Sequence, residues 1–171
     1  GDDYNHTFKW EPMYQDTYNT PASDGMGAQT WRDLWNGVFA ANLAIDRITN
    51  FTGEIEQNRK NRLLGEAYFL RALHYLHLGM LFGETIPLIN KPVETNEDYY
   101  PGNSQAGAVY ALIVDDFKRA SELLPTRAAL YADSKMIGRA TKGAAQAYLA
   151  KTYLYKPILA KGQAADFSSA E

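Results

Sequence analysis

Residues 65–72 read Gly65-Glu66-Ala67-Tyr68-Phe69-Leu70-Arg71-Ala72, and residues 81–88 read Leu81-Phe82-Gly83-Glu84-Thr85-Ile86-Pro87-Leu88. The first block lacks proline and continues a run of good helix formers. The second block stops that run, because Gly83 suits a helix end and Pro87 cannot continue one. The spacing predicts a helix from about Glu56 to Phe82. Leu63, Ala67, Leu70, His74, His77 and Leu81 form one stripe, which Leu64, Tyr68, Leu73 and Leu76 broaden. A helix that is apolar on more than one side is expected to lie between neighbours.

Three further amphipathic segments flank it. Upstream, Trp31, Leu34, Trp35, Val38, Ala41, Ile45 and Ile48 recur at steps of three and four, predicting a helix from about Thr30 to Ile48 with Thr30 as its cap. Downstream, Val109, Leu112, Ile113, Phe117, Ala120 and Leu124 mark a helix over about Ser104 to Leu124, which Pro125 stops. A polar stretch follows to Lys135. Ala140, Gly143, Ala144, Ala147 and Ala150 lie along one side of a fourth helix, about Arg139 to Tyr155, whose small face is expected to pack in a crowded place. Pro157 ends or kinks it.

The organisation is therefore all-α: two helical hairpins of tetratricopeptide-like form joined by long irregular loops. Tyr68-Phe69-Leu70-Arg71-Ala72 and Ala147-Tyr148-Leu149-Ala150-Lys151 give the second helix of each hairpin similar text. Such units must stack to bury both faces, so further neighbours are expected. Residues 1–29 read as an irregular, aromatic-rich segment, residues 30–159 as the helical domain, and residues 160–171 as a tail or the start of a next segment.

Composition narrows the function. The 171 residues carry a formal net charge of -3 and no cysteine. No basic footprint points to nucleic acid, and disulfides, thiol catalysis and cysteine metal sites are excluded. No apolar run approaches the roughly 20 residues of a membrane-spanning helix. Gly1 is not a natural start, so a processed or trimmed chain is expected. Aromatics reach 13%, with 12 tyrosines and 3 tryptophans. Such rings fill cores, and they also stack on the apolar faces of sugars.

Four blocks together resemble the SusD/RagB family. Trp31-Arg32-Asp33-Leu34-Trp35 with Ala41-Asn42-Leu43-Ala44-Ile45-Asp46-Arg47-Ile48 is similar to its first helix, and the two opening blocks to its best signature. Val109-Tyr110 through Leu123-Leu124-Pro125, and Gly138-Arg139-Ala140-Thr141-Lys142-Gly143 through Tyr155, are similar to its next two helices. The resemblance implies a SusD-like superhelix in a non-catalytic lipoprotein of the outer membrane that faces outward. It implies that the protein captures oligosaccharides, or in some members peptides, without a cofactor, and delivers them to a SusC-like TonB-dependent transporter. Attachment to the membrane would run through a lipid anchor that this chain lacks.

The candidate ligand-binding residues are Trp10, Tyr14 and Tyr18 in the segment before the first helix. Trp31 is a weaker candidate, because it begins an apolar stripe. Glu66, Arg71, Asp116 and Arg139 are expected to form buried ion pairs that hold the hairpins in register, since charges are rarely buried unpaired. His74 and His77 share a helical face but have no third ligand to hold zinc, so a packed or hydrogen-bonded pair is expected and no metal site. Asp115 and Asp116 diverge on a helix and make no glycosidase pair, and no hydrolase or phosphate-binding motif is present. A plain tetratricopeptide scaffold that binds a peptide or partner protein is the competing reading.

Overall fold

The structure, a computed structural model, describes residues 26–95, 98 and 101–160. Four long helices carry it: α1 (Met26–Thr49), α2 (Gln57–Phe82), α3 (Ala108–Leu123) and α5 (Lys142–Leu154). Between the last two lie a single turn, α4 (Arg127–Leu130), and a 3-10 turn over Ser134–Met136, and α6 (Lys156–Leu159) follows α5. The expected all-helical class holds, and no strand occurs among the described residues.

Side-chain pairings fix the register. Trp31 meets Phe82, Trp35 meets Tyr75, and Asn42 meets Arg71, so α1 and α2 run antiparallel. Phe69 meets Phe117 and Arg71 meets Asp116, so α3 runs antiparallel to α2 in turn. Phe117 stacks on Tyr148, and Lys156 lies over Tyr110, which repeats the relation for α3 against α5 and α6. Each long helix thus packs on the next, as stacked hairpins require. One continuous core results, holding Trp35, Val38, Tyr75, Leu76, Leu78, Val109, Ile113, Phe117 and Leu159 among others. Helix backbones approach closely where side chains vanish. A Cβ on Gly37 would strike the His74 imidazole of α2, and one on Gly65 would lie 2.9 Å from Leu124.

Helix ends differ from the sequence expectation for local reasons. Thr30 is not a cap, because α1 is already helical from Met26. Glu56 caps α2, its carboxylate accepting the backbone N–H of Asn58 and of Arg59, both at 2.8 Å. Gly107, with φ of 81°, delays the start of α3 to Ala108. Thr141 caps α5, so the helix starts three residues after Arg139. Pro157 falls in the first turn of α6, where its missing N–H costs nothing.

Two face assignments are corrected. Leu70 and Leu81 of the expected α2 stripe are 46% and 63% exposed. Of the expected set Ala67 and Leu76 are buried, and the rest of the burial falls on the flanks, at Gly65, Phe69 and Ala72 and at Arg71, Tyr75 and Leu78, because α1 and α3 press from either side. On α5 the expected crowded face is only half covered. Ala140 and Ala144 pack against the core, but Gly143 and Ala147 are exposed, and Ala145 and Thr152 are the buried residues of the helix.

Candidate functional site

The described stretches 83–95 and 101–107 of the α2–α3 connection have no regular ladder, so their polar backbone must find partners elsewhere. Side chains from the helices supply them. Tyr75 donates its hydroxyl to Ile89 O at 3.0 Å and accepts the Ile89 N–H at 2.7 Å. Asn42 donates to Ile89 O at 2.9 Å and to Lys91 O at 3.2 Å. Arg71 Nη1 donates to Asn90 O at 3.0 Å and to Asn42 Oδ1 at 2.9 Å. Three consecutive carbonyls are thereby held by side chains of α1 and α2.

Behind this clamp, Arg71 closes a two-bond fork on Asp116 of α3, Nε to Oδ2 at 2.7 Å and Nη2 to Oδ1 at 2.8 Å. Asp116 is fully buried. Burial pushes its carboxyl above the usual range, against the pull of Arg71. Burial likewise pushes the Tyr75 phenol far up, which keeps it a hydrogen donor at any ordinary pH. Farther along, Asp98 gathers the N–H groups of Glu94 and Thr95, the Thr95 hydroxyl and the Lys91 ammonium at 2.9–3.2 Å. Lys91 and these donors hold the Asp98 carboxyl well below the usual carboxylate range. Ser104 N donates to Thr85 O at 3.2 Å and ties the two arms of the connection together.

The clamped connection forms one wall of an open groove of about 490 Å³. Pro87, Ile89 and Pro101 stand on that side, and Trp31, Arg32, Trp35, Asn36 and Phe39 of α1 stand on the other. Trp31 is half-buried and packs edge-on against Phe82 at 4.9 Å and Trp35 at 5.6 Å between ring centroids. Trp35 is buried, and its indole N–H has no partner among the described residues. Arg32 and Asn36 are exposed at the rim. The arrangement offers a braced indole, apolar walls and polar side chains at one edge. It suits a small ligand with an apolar face and peripheral hydroxyls.

A second groove, about 820 Å³, opens between the start of α2 and the α3–α5 connection. Arg59, Arg62 and Arg139 line it, offset by Glu56, Glu122 and Asp133. No aromatic side chain lines it, so it lacks a stacking surface for a sugar.

Of the sequence candidates, Trp31 lies in the aromatic groove, while Trp10, Tyr14 and Tyr18 lie outside the described residues. The four charged candidates pair as two separate couples. Arg71–Asp116 is buried as expected. Glu66 takes Arg139 at 2.8 Å and also Arg62 at 2.9 Å, but the Arg139 side chain is 44% exposed, so this couple sits at the surface. His74 Nδ1 lies 2.6 Å from Leu70 O, whereas His77 is partly buried, and burial, Lys151 and His74 together lower its pKa. Among the described residues no cluster of three or more His, Asp or Glu side chains is placed to hold a metal ion, and no helix is long and apolar enough to cross a membrane. Asn42 and Tyr75 escaped the sequence reading. The one available signal for Asn42 was an amide standing beside Ala41 on an otherwise apolar face.

A family profile described as SusD-like_3, starch-binding associating with outer membrane, matches residues 3–154. The chain belongs to the SusD-like family. SusD-like protein P38 of Formosa agariphila is 32% identical to it over 152 residues, covering 86% of this chain and 29% of that protein. A crystal structure of a SusD-like protein from Bacteroides fragilis is 33% identical, with a TM-score of 0.71, over 86% of this chain and 27% of that one. A laminarin-binding SusD-like protein is 29% identical, with a TM-score of 0.66, over 80% of this chain and 31% of that one. The chain thus spans less than a third of the length of these SusD-like relatives.

Proposed function

We propose that the chain is the helical platform of a non-catalytic SusD-like protein that captures oligosaccharides at the outer membrane. The Trp31 groove contributes to the binding surface, together with the aromatics Trp10, Tyr14 and Tyr18 of the preceding segment. The reading extends to a protein that faces outward on a lipid anchor and delivers its ligand to a SusC-like TonB-dependent transporter. The observation that carries it is the Trp31 indole, braced edge-on by Phe82 and Trp35 on a rim that also presents Arg32 and Asn36. A ring held in place loses little freedom when a sugar face settles on it, and hydroxyls at the sugar's edge find donors beside it. Family membership and the laminarin named for one relative support the glycan class.

Calorimetric titration of the protein with laminarin and maltose oligosaccharides tests this reading. The expected result is saturable binding of at least one series, weakened roughly 5- to 100-fold in Trp31→Ala, the range an aromatic stacking platform is worth. Binding that is equally tight in Trp31→Ala would remove the groove from the reading. Absence of binding to any glycan series would remove the glycan class.

A further inference from the structure

The groove has two walls of different kinds. One is a helix, α1, whose backbone satisfies itself. The other is the α2–α3 connection, held at Ile89, Asn90 and Lys91 by Asn42, Arg71 and Tyr75, which lie inside α1 and α2. Its position near the groove depends on the side chains that hold Ile89, Asn90 and Lys91. The Ile89 N–H and carbonyl both bond one atom, the Tyr75 hydroxyl, while Asn42 bridges the carbonyls of Ile89 and Lys91. Neither Asn42 nor Tyr75 lines the groove. Both are buried, and the Tyr75 ring packs edge-on against Trp35, the floor of the same groove, at 5.7 Å.

We propose that Asn42 and Tyr75 are positioning residues for ligand capture: they fix the Pro87–Ile89 wall against Trp31 and Trp35 and so set the groove's affinity without touching the ligand. The inference rests on the glycan reading of the groove. It separates two roles within one buried network. The Arg71–Asp116 fork joins α2 to α3, while the remaining Arg71 nitrogen reaches Asn42 and the Asn90 carbonyl. Asn42 and the Tyr75 hydroxyl hold Ile89, the clamped residue that lines the groove. A wall held by directional bonds presents its shape before the ligand arrives, so binding need not order it.

Tyr75→Phe isolates the effect, because it keeps the ring against Trp35 and removes only the hydroxyl, which makes two bonds to Ile89. Asn42→Leu is the second variant, should the first fold poorly. Two readouts are taken on the unsubstituted protein and each variant: amide hydrogen exchange, and titration with the oligosaccharide series used above. The expected result is faster exchange at Ile89, whose N–H bonds the Tyr75 hydroxyl, unchanged protection in the centres of α1 and α3, and affinity about fivefold weaker, the scale of one net hydrogen bond. Faster exchange with unchanged affinity would overturn the positioning role while leaving the glycan reading intact. Unchanged exchange at Ile89 would overturn it whatever the affinity. An unsubstituted protein that binds no oligosaccharide would overturn the glycan reading, and the positioning role with it.

Discussion

Arg71 and Asp116, 45 positions apart in the chain, meet edge to edge at 2.7 and 2.8 Å, with the carboxylate fully out of water. The fork places α3 against α2 with one orientation, and the remaining Arg71 nitrogen reaches forward to Asn42 and Asn90. A charge buried this deeply is stable only with its partner, so the pair is a condition of the fold more than a gain in its stability.

Removing one member should therefore be expensive. Asp116→Ala is expected to lower unfolding stability by about 3–5 kcal/mol, because it leaves an uncompensated guanidinium in the interior. Arg139→Ala breaks a pair of similar length to Glu66, yet one end is well exposed. It should cost less than about 1 kcal/mol. Urea denaturation of the two variants side by side checks the ordering, and equal losses would refute the division into core and surface couples.

The Gly37–His74 approach makes a second prediction. Gly37→Ala gains helix propensity worth about 1 kcal/mol, but its methyl group enters the space of the His74 ring. The net expected effect is a loss of about 1–3 kcal/mol from overpacking. His74→Ala should relieve the clash, so the double variant should be more stable than the sum of the two single losses predicts. Additive losses in thermal denaturation would show that the ring moves aside freely.

His77 gives a pH dependence. Its pKa is lowered in the folded chain by burial first, then by Lys151 and His74. The unfolded chain therefore takes up this proton at higher pH than the folded one. The stability linked to His77 is fully present above its ordinary pKa of about 6.5 and is lost as pH falls through the lowered folded value. His77→Gln should flatten the decline in unfolding midpoint just below pH 6.5. Identical pH profiles in the two proteins would contradict the assignment.

The start of α2 offers a test of local stability. Glu56 occupies two N–H groups that would otherwise be orphaned at the helix end. Glu56→Ala is expected to cost about 1 kcal/mol, with amide exchange rising first at Asn58 and Arg59. Loss of protection spread evenly along α2 would argue against a capping role.

Much of this fold was legible because the helices are amphipathic in a way that shows. On α3, Val109, Ile113, Phe117, Ala120 and Leu124 were read as one face and are all buried. Arg71 and Asp116 stood out as charges on core faces, and they pair. The reading failed where a helix is apolar all round. The angular direction of α2 could not be taken from its own residues, since two neighbours decide which flanks are buried, and Leu70 and Leu81 proved to lie on the open seam. On α5, small residues signalled close packing, but alanine is also simply a good helix former, and Ala147 is exposed. The wall of the groove was the least legible part. Residues 84–102 contain no period, and Ile89 and Lys91 are held by Asn42 and Tyr75, whose roles depend on carbonyls that no sequence pattern announces.

On the proposed reading a glycan settles on the indole of Trp31, in a groove carried by the helical stack. The most direct measurement is the indole N–H spectrum of the nitrogen-15-labelled protein, which has three tryptophans, during titration with an oligosaccharide. The Trp31 signal, assigned through Trp31→Phe, should shift progressively and saturate, and the Trp35 signal should move with it. A Trp31 signal that stays fixed while the oligosaccharide demonstrably binds would place the ligand elsewhere and contradict the account.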